Sequence, residues 1–326
     1  MDKLAARKRA AELEYALAAA HFRHDEAKRL RQELDEIERQ IEPTQFQERS
    51  IQCLGPHGFH RVVYSDWPGP IGAPVLLCVH GLTRNGRDFD TLAQAMSAHY
   101  RVICPDMPGR GRSDYLAVSA DYDFKVLLAD LAALIARLDV ETIDFVGTSM
   151  GGTLGAVMAA QPGNPIRRLV VNDVGPLLPK AAADRIMSYV GLDPSFRTLE
   201  DMEVSLRQIY ATFGPMTDAQ MRKLIVDSAR HKTDGSYGFA YDPRIADAFK
   251  AAPPEGIDLW PVWQAIKCPV LLLRGALSDV LPRDIAEEIT RRTPQTKLVE
   301  FAGIGHAPPL LADDQIRAVR DFLLAE

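Results

Sequence analysis

Phe145-Val-Gly-Thr-Ser-Met-Gly-Gly152 joins an apolar, β-rich run to a segment of small, helix-compatible residues. The run ends at Gly147, Ser149 follows, and the pattern predicts a helix from Met150. This is G-x-S-x-G at a strand–turn–helix junction, the arrangement called a nucleophile elbow. The turn is tight, so side chains at Gly147 and Gly151 would collide with neighbouring strands. Such a turn lifts the Ser149 hydroxyl to the carboxyl edge of a sheet, above a helix N-terminus.

Outward from this junction, apolar strands alternate with amphipathic helices. Val75–His80, Arg101–Pro105, Thr142–Gly147, Arg168–Asp173, Pro269–Arg274 and Lys297–Ala302 read as strands rich in Val, Ile and Leu. Phe89–Ala98, Phe124–Leu138, Met150–Ala160, Arg283–Arg292 and Asp313–Leu324 read as the helices between and after them. Alternation of this kind predicts βαβ units and a mostly parallel sheet with helices on both faces. Ser50–Leu54 and Phe59–Ser65 flank Gly55, Pro56 and Gly58 and read as an antiparallel hairpin ahead of it. The alternation breaks over residues 176–257, which are helical in pattern with turns at Gly191, Pro194, Gly214, Pro215, Gly235 and Pro253. An insertion of that size over a sheet edge is expected to be a lid.

A serine hydroxyl is a weak nucleophile and needs a base. Among the eight histidines, His306 stands out, in the glycine-bracketed loop Phe301-Ala-Gly-Ile-Gly-His-Ala-Pro308 after the last predicted strand. The order Ser, acid, His is the one this strand–turn–helix architecture uses. The acid that fixes the imidazole tautomer is expected to be Asp279, in Arg274-Gly-Ala-Leu-Ser-Asp-Val-Leu-Pro282. One helix and one strand fit between Asp279 and His306, so both loops open on the same edge. Asp173, in Val170-Val-Asn-Asp-Val-Gly175, is the competitor, since it ends the preceding strand. Attack on an acyl carbonyl creates an oxyanion that needs preorganised N–H donors. The backbone N–H groups of Leu82, in Val79-His-Gly-Leu-Thr-Arg-Asn-Gly86, and of Met150 are the expected pair.

Asp106-Met-Pro-Gly-Arg-Gly-Arg-Ser-Asp114 superficially suggests a phosphate loop. It lacks the third glycine of G-x-G-x-x-G and any G-K-[ST], so it reads as a structural turn bordering the pocket. His80, Gly81, Arg84, Tyr189 and Trp260 are the candidate pocket residues, although loop bracing is the better reading of Arg84. Phe196, Tyr210 and Phe213 join Tyr189 and Trp260 as candidate lining of the lid, with core packing an equal explanation.

Hydrophobic residues make up 47% of the 326 positions and charged residues 25%, so a packed core is expected and general disorder is not. Lys plus Arg total 38 against 44 for Asp plus Glu, a net charge of −6 that argues against a dedicated nucleic-acid binder. No apolar run approaches the roughly 18–20 residues needed to span a bilayer. Charges at Arg7, Lys8, Arg9, Glu12, Glu14 and Arg23 interrupt any signal-peptide core, so the cytoplasm is the expected compartment. Four cysteines without a C-x-x-C or zinc-ligand spacing read as buried thiols. No metal or organic cofactor is expected.

Residues 1–42 hold nine Lys/Arg and ten Asp/Glu and no Pro or Gly. Apolar or small residues at Ala6, Ala10, Leu13, Leu17, Ala20, Ala27, Leu30, Leu34, Ile37 and Ile41 form one helical stripe. The expectation is a helical extension lying on the globular part or on a second subunit, which makes a homo-oligomer through residues 1–42 the partner to test.

Together, His80-Gly81, Asp106 to Ser113, Gly147 to Gly151, Asp279 and Gly305-His306 resemble the α/β-hydrolase fold family over about residues 49–326. The resemblance implies an eight-stranded, mostly parallel sheet with a helical cap inserted after the sixth strand. Residues 43–175 and 258–326 would then form the core and residues 176–257 the cap. Ser149 at the elbow separates this chain from the epoxide hydrolases and haloalkane dehalogenases, which place Asp there. The meta-cleavage-product hydrolases, which break a carbon–carbon bond, are similar in layout. They usually carry Trp directly after the catalytic His, where this sequence has Ala307, and a glycine- and proline-rich oxyanion loop, unlike Leu82-Thr-Arg-Asn85. The expected activity is a serine esterase acting on a small or medium carboxylic ester or lactone. The alternatives are a carbon–carbon bond hydrolase and, in another class, a non-catalytic binding or scaffolding protein on the same fold.

Overall fold

The computed structural model describes residues 46–250 and 258–325, with isolated positions between 7 and 30. The chain divides into two compact units, Met1–Gln47 and Glu48–Glu326. In the first, the described positions between 7 and 30, among them Ala10, Leu17, Ala18 and Leu30, are helical. Ala6, Leu13, Ala20, Ala27, Leu34, Ile37 and Ile41 of the expected stripe lie outside the described residues.

The second unit is built on an eight-stranded sheet. A hairpin of β1 (Gln47–Gly55) and β2 (Gly58–Trp67) leads into β3 (Val75–Val79), β4 (Arg101–Pro105), β5 (Ile143–Thr148) and β6 (Ile166–Asn172). Two short strands, β7 (Ala229–His231) and β8 (Tyr237–Phe239), pair with each other apart from the main sheet, before β9 (Val270–Gly275) and β10 (Thr296–Phe301) complete it. The order across the sheet is β1-β2-β4-β3-β5-β6-β9-β10. β2 runs antiparallel to β4, and every pairing from β4 to β10 is parallel. The carboxyl ends of β3, β5, β6, β9 and β10 therefore open on one edge, and short loops beyond those ends can converge.

The central strands are apolar along their whole length because both faces are covered. Val75–Val79 and Val270–Gly275 are buried at every position. On one face Leu77, Val79, Phe145, Leu169, Val171 and Leu272 pack with Leu127, Leu131, Leu154, Trp263 and Ile289 from the helices. Each such side chain contributes about 1.5–3 kcal/mol of burial. The helices in chain order are α1 (Asp90–Met96), α2 (Phe124–Arg137), α3 (Met150–Ala159), α4 (Lys180–Met187), α5 (Leu199–Ile209), α6 (Asp218–Asp227), α7 (Ile245–Lys250), α8 (Trp260–Ala265), α9 (Arg283–Arg292) and α10 (Asp313–Leu323). Asp123 caps α2 by accepting from the Val126 N–H at 2.9 Å. Among the described residues no helix is long and apolar enough to cross a membrane.

The stretch between β6 and β9 holds α4 to α8 and the β7–β8 hairpin. Residues 251–257, including the turn expected at Pro253, lie outside the described residues. Thr198 with Asp201 and Thr217 with Gln220 form capping boxes that start α5 and α6. A second apolar cluster joins Ala182, Ile186, Met202, Leu206, Tyr210 and Phe239 of this stretch to Val280, with Leu82 and Val174 packed against it. This segment thus seats on the loops at the carboxyl edge of the sheet.

Candidate active site

The elbow is held by direct exclusion of side chains. A β-carbon at Gly147 would lie 2.2 Å from the Gly151 carbonyl oxygen, and one at Gly151 would lie 2.0 Å from that of Val79. Ser149 itself takes φ 52, a left-handed conformation that non-glycine residues rarely adopt. It directly precedes α3, and its N–H donates to the Asn172 carbonyl at 2.9 Å. Its partial exposure leaves the hydroxyl open to a substrate.

His306 Nε2 is 3.0 Å from Ser149 Oγ, and its Nδ1 is 2.8 Å from Oδ2 of Asp173. The carboxylate facing His306 is therefore not the expected Asp279. Asp173 is fully buried beyond the end of β6. Its Oδ2 also accepts from the Ser278 hydroxyl at 2.6 Å, and its Oδ1 from the Gly275 N–H at 2.9 Å. Asp279 is turned outward, 44% exposed, into a bidentate pair with Arg185 of α4, at 2.6 and 2.9 Å. Partial burial raises the Asp279 pKa, but the hydrogen bonds and charge of Arg185 outweigh that and hold the carboxyl below its ordinary range.

Three contacts fix the histidine loop. The Asn172 amide donates to the Pro308 carbonyl at 2.8 Å. Thr212 accepts the Gly305 N–H at 2.7 Å on its carbonyl, and its hydroxyl donates to the His306 carbonyl at 3.3 Å. The segment over the sheet edge thus grips both sides of His306.

The loop after β3 faces Ser149: a β-carbon on Gly81 would sit 3.7 Å from Ser149 Cβ. His80 is fully buried. Its Nδ1–H donates to the Gly81 carbonyl at 2.7 Å and its Nε2 accepts the Met107 N–H at 2.9 Å. Burial lowers its pKa to about 4, so it is a neutral brace. Arg84 donates to Asp88, Tyr210 and Ser228, which occupies its guanidinium and tethers the loop to the overlying segment. Both residues are buried in the loop's framework instead of facing a pocket.

The remaining lining candidates divide. Tyr189, Phe196, Tyr210 and Phe213 belong to or pack against the second apolar cluster, and the Tyr210 and Phe213 rings stack at 5.0 Å. Trp260 packs against the main core with the Arg292 guanidinium 4.2 Å from its ring centroid.

The Asp106 turn is structural. Asp106 Oδ1 accepts from the Gly86 N–H at 2.8 Å and Oδ2 from the Arg112 N–H and Nε at 2.9 Å each. A β-carbon at Gly111 would be 2.4 Å from that carboxylate. Away from the site, Cys53, His60 and Asp130 gather within 4.8 Å of one another in the interior. His60 Nε2–H donates to Asp130 at 2.9 Å, and burial with Asp130 beside it pushes the Cys53 thiol up to about 12. All four cysteines are free; Cys53, Cys78 and Cys104 are buried and Cys268 is partly so.

The sequence pattern of the alpha/beta hydrolase fold matches residues 74–313. The chain belongs to that family. A 3-hydroxybutyrate-oligomer hydrolase of Cupriavidus necator is 43% identical over 280 residues, 83% of this chain and 96% of the relative. An alpha/beta hydrolase structure from Novosphingobium aromaticivorans superposes with a TM-score of 0.78 at 34% identity, covering 86% of this chain and 98% of the other. A Rickettsia typhi protein provisionally described as a hydrolase gives 0.80 at 30% identity, covering 86% and 99%. This chain is thus a hydrolase of the alpha/beta fold.

Two features of its site were not read from sequence. Ser278 lies one residue before the expected acid, in the same loop, and acts as a donor to Asp173. Arg110, taken only as part of a turn, reaches the loop after β3 and donates to the Leu82 carbonyl at 2.8 Å.

Proposed function

We propose that this alpha/beta hydrolase is a serine carboxylic-ester hydrolase whose substrates are short oligomers of a small 3-hydroxy acid. The observation that carries the reading is the continuous hydrogen-bonded chain from Ser149 Oγ through His306 to Asp173. His306 Nε2 takes the Ser149 proton as Oγ attacks the ester carbonyl. The oxyanion is held by the N–H groups of Leu82 and Met150; the latter opens α3, where the first N–H groups lack intrahelical acceptors. His306 then protonates the leaving alcohol, and the acyl-enzyme is released by water that the same imidazole deprotonates. Asp173 orients the imidazole and stabilises its charged form. Every proton transfer in this scheme uses a group already present in the chain.

The substrate class is supported by the Cupriavidus necator relative, whose name states hydrolysis of 3-hydroxybutyrate oligomers. The test is turnover of the 3-hydroxybutyrate dimer and trimer beside p-nitrophenyl butyrate, with Ser149→Ala in parallel. The reading expects both classes to be cleaved by the wild type and neither by the variant. Cleavage of p-nitrophenyl butyrate without the oligomers would overturn the substrate and keep the ester mechanism. Full activity of Ser149→Ala would overturn the mechanism.

A further inference from the structure

Arg110 is 1% exposed, yet among the described residues its guanidinium has backbone carbonyls and a thioether as partners instead of a carboxylate. Its Nε donates to the Leu82 carbonyl at 2.8 Å and its Nη1 to the Pro108 carbonyl at 2.7 Å. Nη2 lies 3.7 Å from Met150 Sδ. The Tyr122 ring lies against the group with its centroid 5.6 Å away. Asp242, whose charge reaches Arg110, is already bonded to Arg244 and to the Tyr122 hydroxyl. Burial draws the Arg110 pKa down to about 10, which leaves the cation intact at neutral pH.

Burying a cation whose nearest carboxylate is already bonded to other groups is unfavourable, so the fold must gain something from placing it there. The backbone around it is fixed from the overlying segment: the Gly111 N–H donates to Ala240 at 2.8 Å and the Asp242 N–H to Gly109 at 2.7 Å. Its side chain then meets Leu82 and Met150 together. Those are the two residues whose N–H groups receive the oxyanion in the proposed reaction. We propose that Arg110 is a positioning residue of the oxyanion hole, which holds the Leu82 carbonyl and so fixes the backbone of the residue whose N–H donates, and which seats against the Met150 side chain. The assignment rests on the serine-ester reading of the site. It also explains the residue type, because only the planar guanidinium can donate to two carbonyls in fixed directions while keeping its charge.

The test compares Arg110→Met, which keeps volume without charge, with Arg110→Lys. Each is assayed for kcat and KM on p-nitrophenyl butyrate and for inhibition by n-butylboronic acid, which binds serine as a tetrahedral adduct. Unfolding temperature and stoichiometric organophosphate labelling report the folded, active fraction. The expected result for Arg110→Met is a kcat loss of roughly 30–300-fold with KM within about threefold, and a matching rise in the boronate Ki. Arg110→Lys is expected to recover part of both. An Arg110→Met enzyme with wild-type kcat and boronate Ki overturns the proposal, as does a loss confined to KM. If Arg110→Met does not fold, Arg110→Lys carries the test: lower kcat at unchanged KM supports the assignment, and wild-type kcat and Ki overturn it. Ser149→Ala separates the two readings. If it is active, the serine mechanism has failed; if it is inactive while the Arg110 variants are unimpaired, only the role of Arg110 has.

Discussion

Ser278 donates its hydroxyl at 2.6 Å to Oδ2 of Asp173, the oxygen that also receives Nδ1 of His306. The loop after β9 therefore contributes hydrogen-bond donors to a carboxylate that comes from β6. Asp279, one residue on, faces α4 and pairs with Arg185.

This division of labour separates two neutralising substitutions. Asp173→Asn is expected to lower kcat on p-nitrophenyl butyrate by roughly 10³–10⁴-fold, because the amide favours the wrong imidazole tautomer. Asp279→Asn is expected to stay within about threefold of wild type. The reverse ranking would return the role to Asp279.

Ser278→Ala removes one of the hydrogen bonds to the Asp173 carboxylate. Loss of a bond to a charged acceptor is worth about 1.5–3 kcal/mol, so kcat is expected to fall about 10–100-fold with KM little changed. Steady-state kinetics on the same ester check this, and an unchanged kcat would remove Ser278 from the account.

Gly151→Ala places a β-carbon 2.0 Å from the Val79 carbonyl oxygen, where backbone must move. Destabilisation of about 3 kcal/mol or more is expected, a fall of roughly 5–10 °C in unfolding temperature. A variant that unfolds at the wild-type temperature would show that the elbow is not packed as described.

His80 predicts how stability depends on pH. Burial lowers its pKa from the ordinary 6.5 to about 4. The unfolded chain therefore takes up its proton first as the solution is acidified. Its contribution is fully present above about pH 6.5 and is lost progressively as pH falls to about 4, by about 3 kcal/mol in all. His80→Gln should flatten that part of the stability profile measured by urea unfolding. A profile of identical shape in both proteins would contradict the assignment.

Much of this was legible in the sequence for a physical reason. Gly147 and Gly151 exclude side chains by backbone contact, so the elbow imposes its own residue types, and the strand ends expected from apolar runs at Gly147, Asp173, Arg274 and Ala302 each fall one residue from the observed ends at Thr148, Asn172, Gly275 and Phe301. The choice of acid was not legible. Asp173 and Asp279 both follow strands that open on one edge, and what distinguishes them is Arg185, 94 positions from Asp279 and supplied by the overlying segment. The β7–β8 hairpin was missed because three-residue strands are too short to show alternation, although Asp234-Gly235 marks its turn. Helix α8 was missed as well, despite a proline in its first turn.

The most direct measurement is the rate of p-nitrophenyl butyrate hydrolysis by the wild type and by Ser149→Ala, with both proteins shown to be folded. The account predicts a loss of roughly 10⁴-fold or more in the variant, because the Ser149 hydroxyl is the group that forms the acyl-enzyme. Comparable rates in the two proteins would show that Ser149 is not the nucleophile and would contradict the account at its centre.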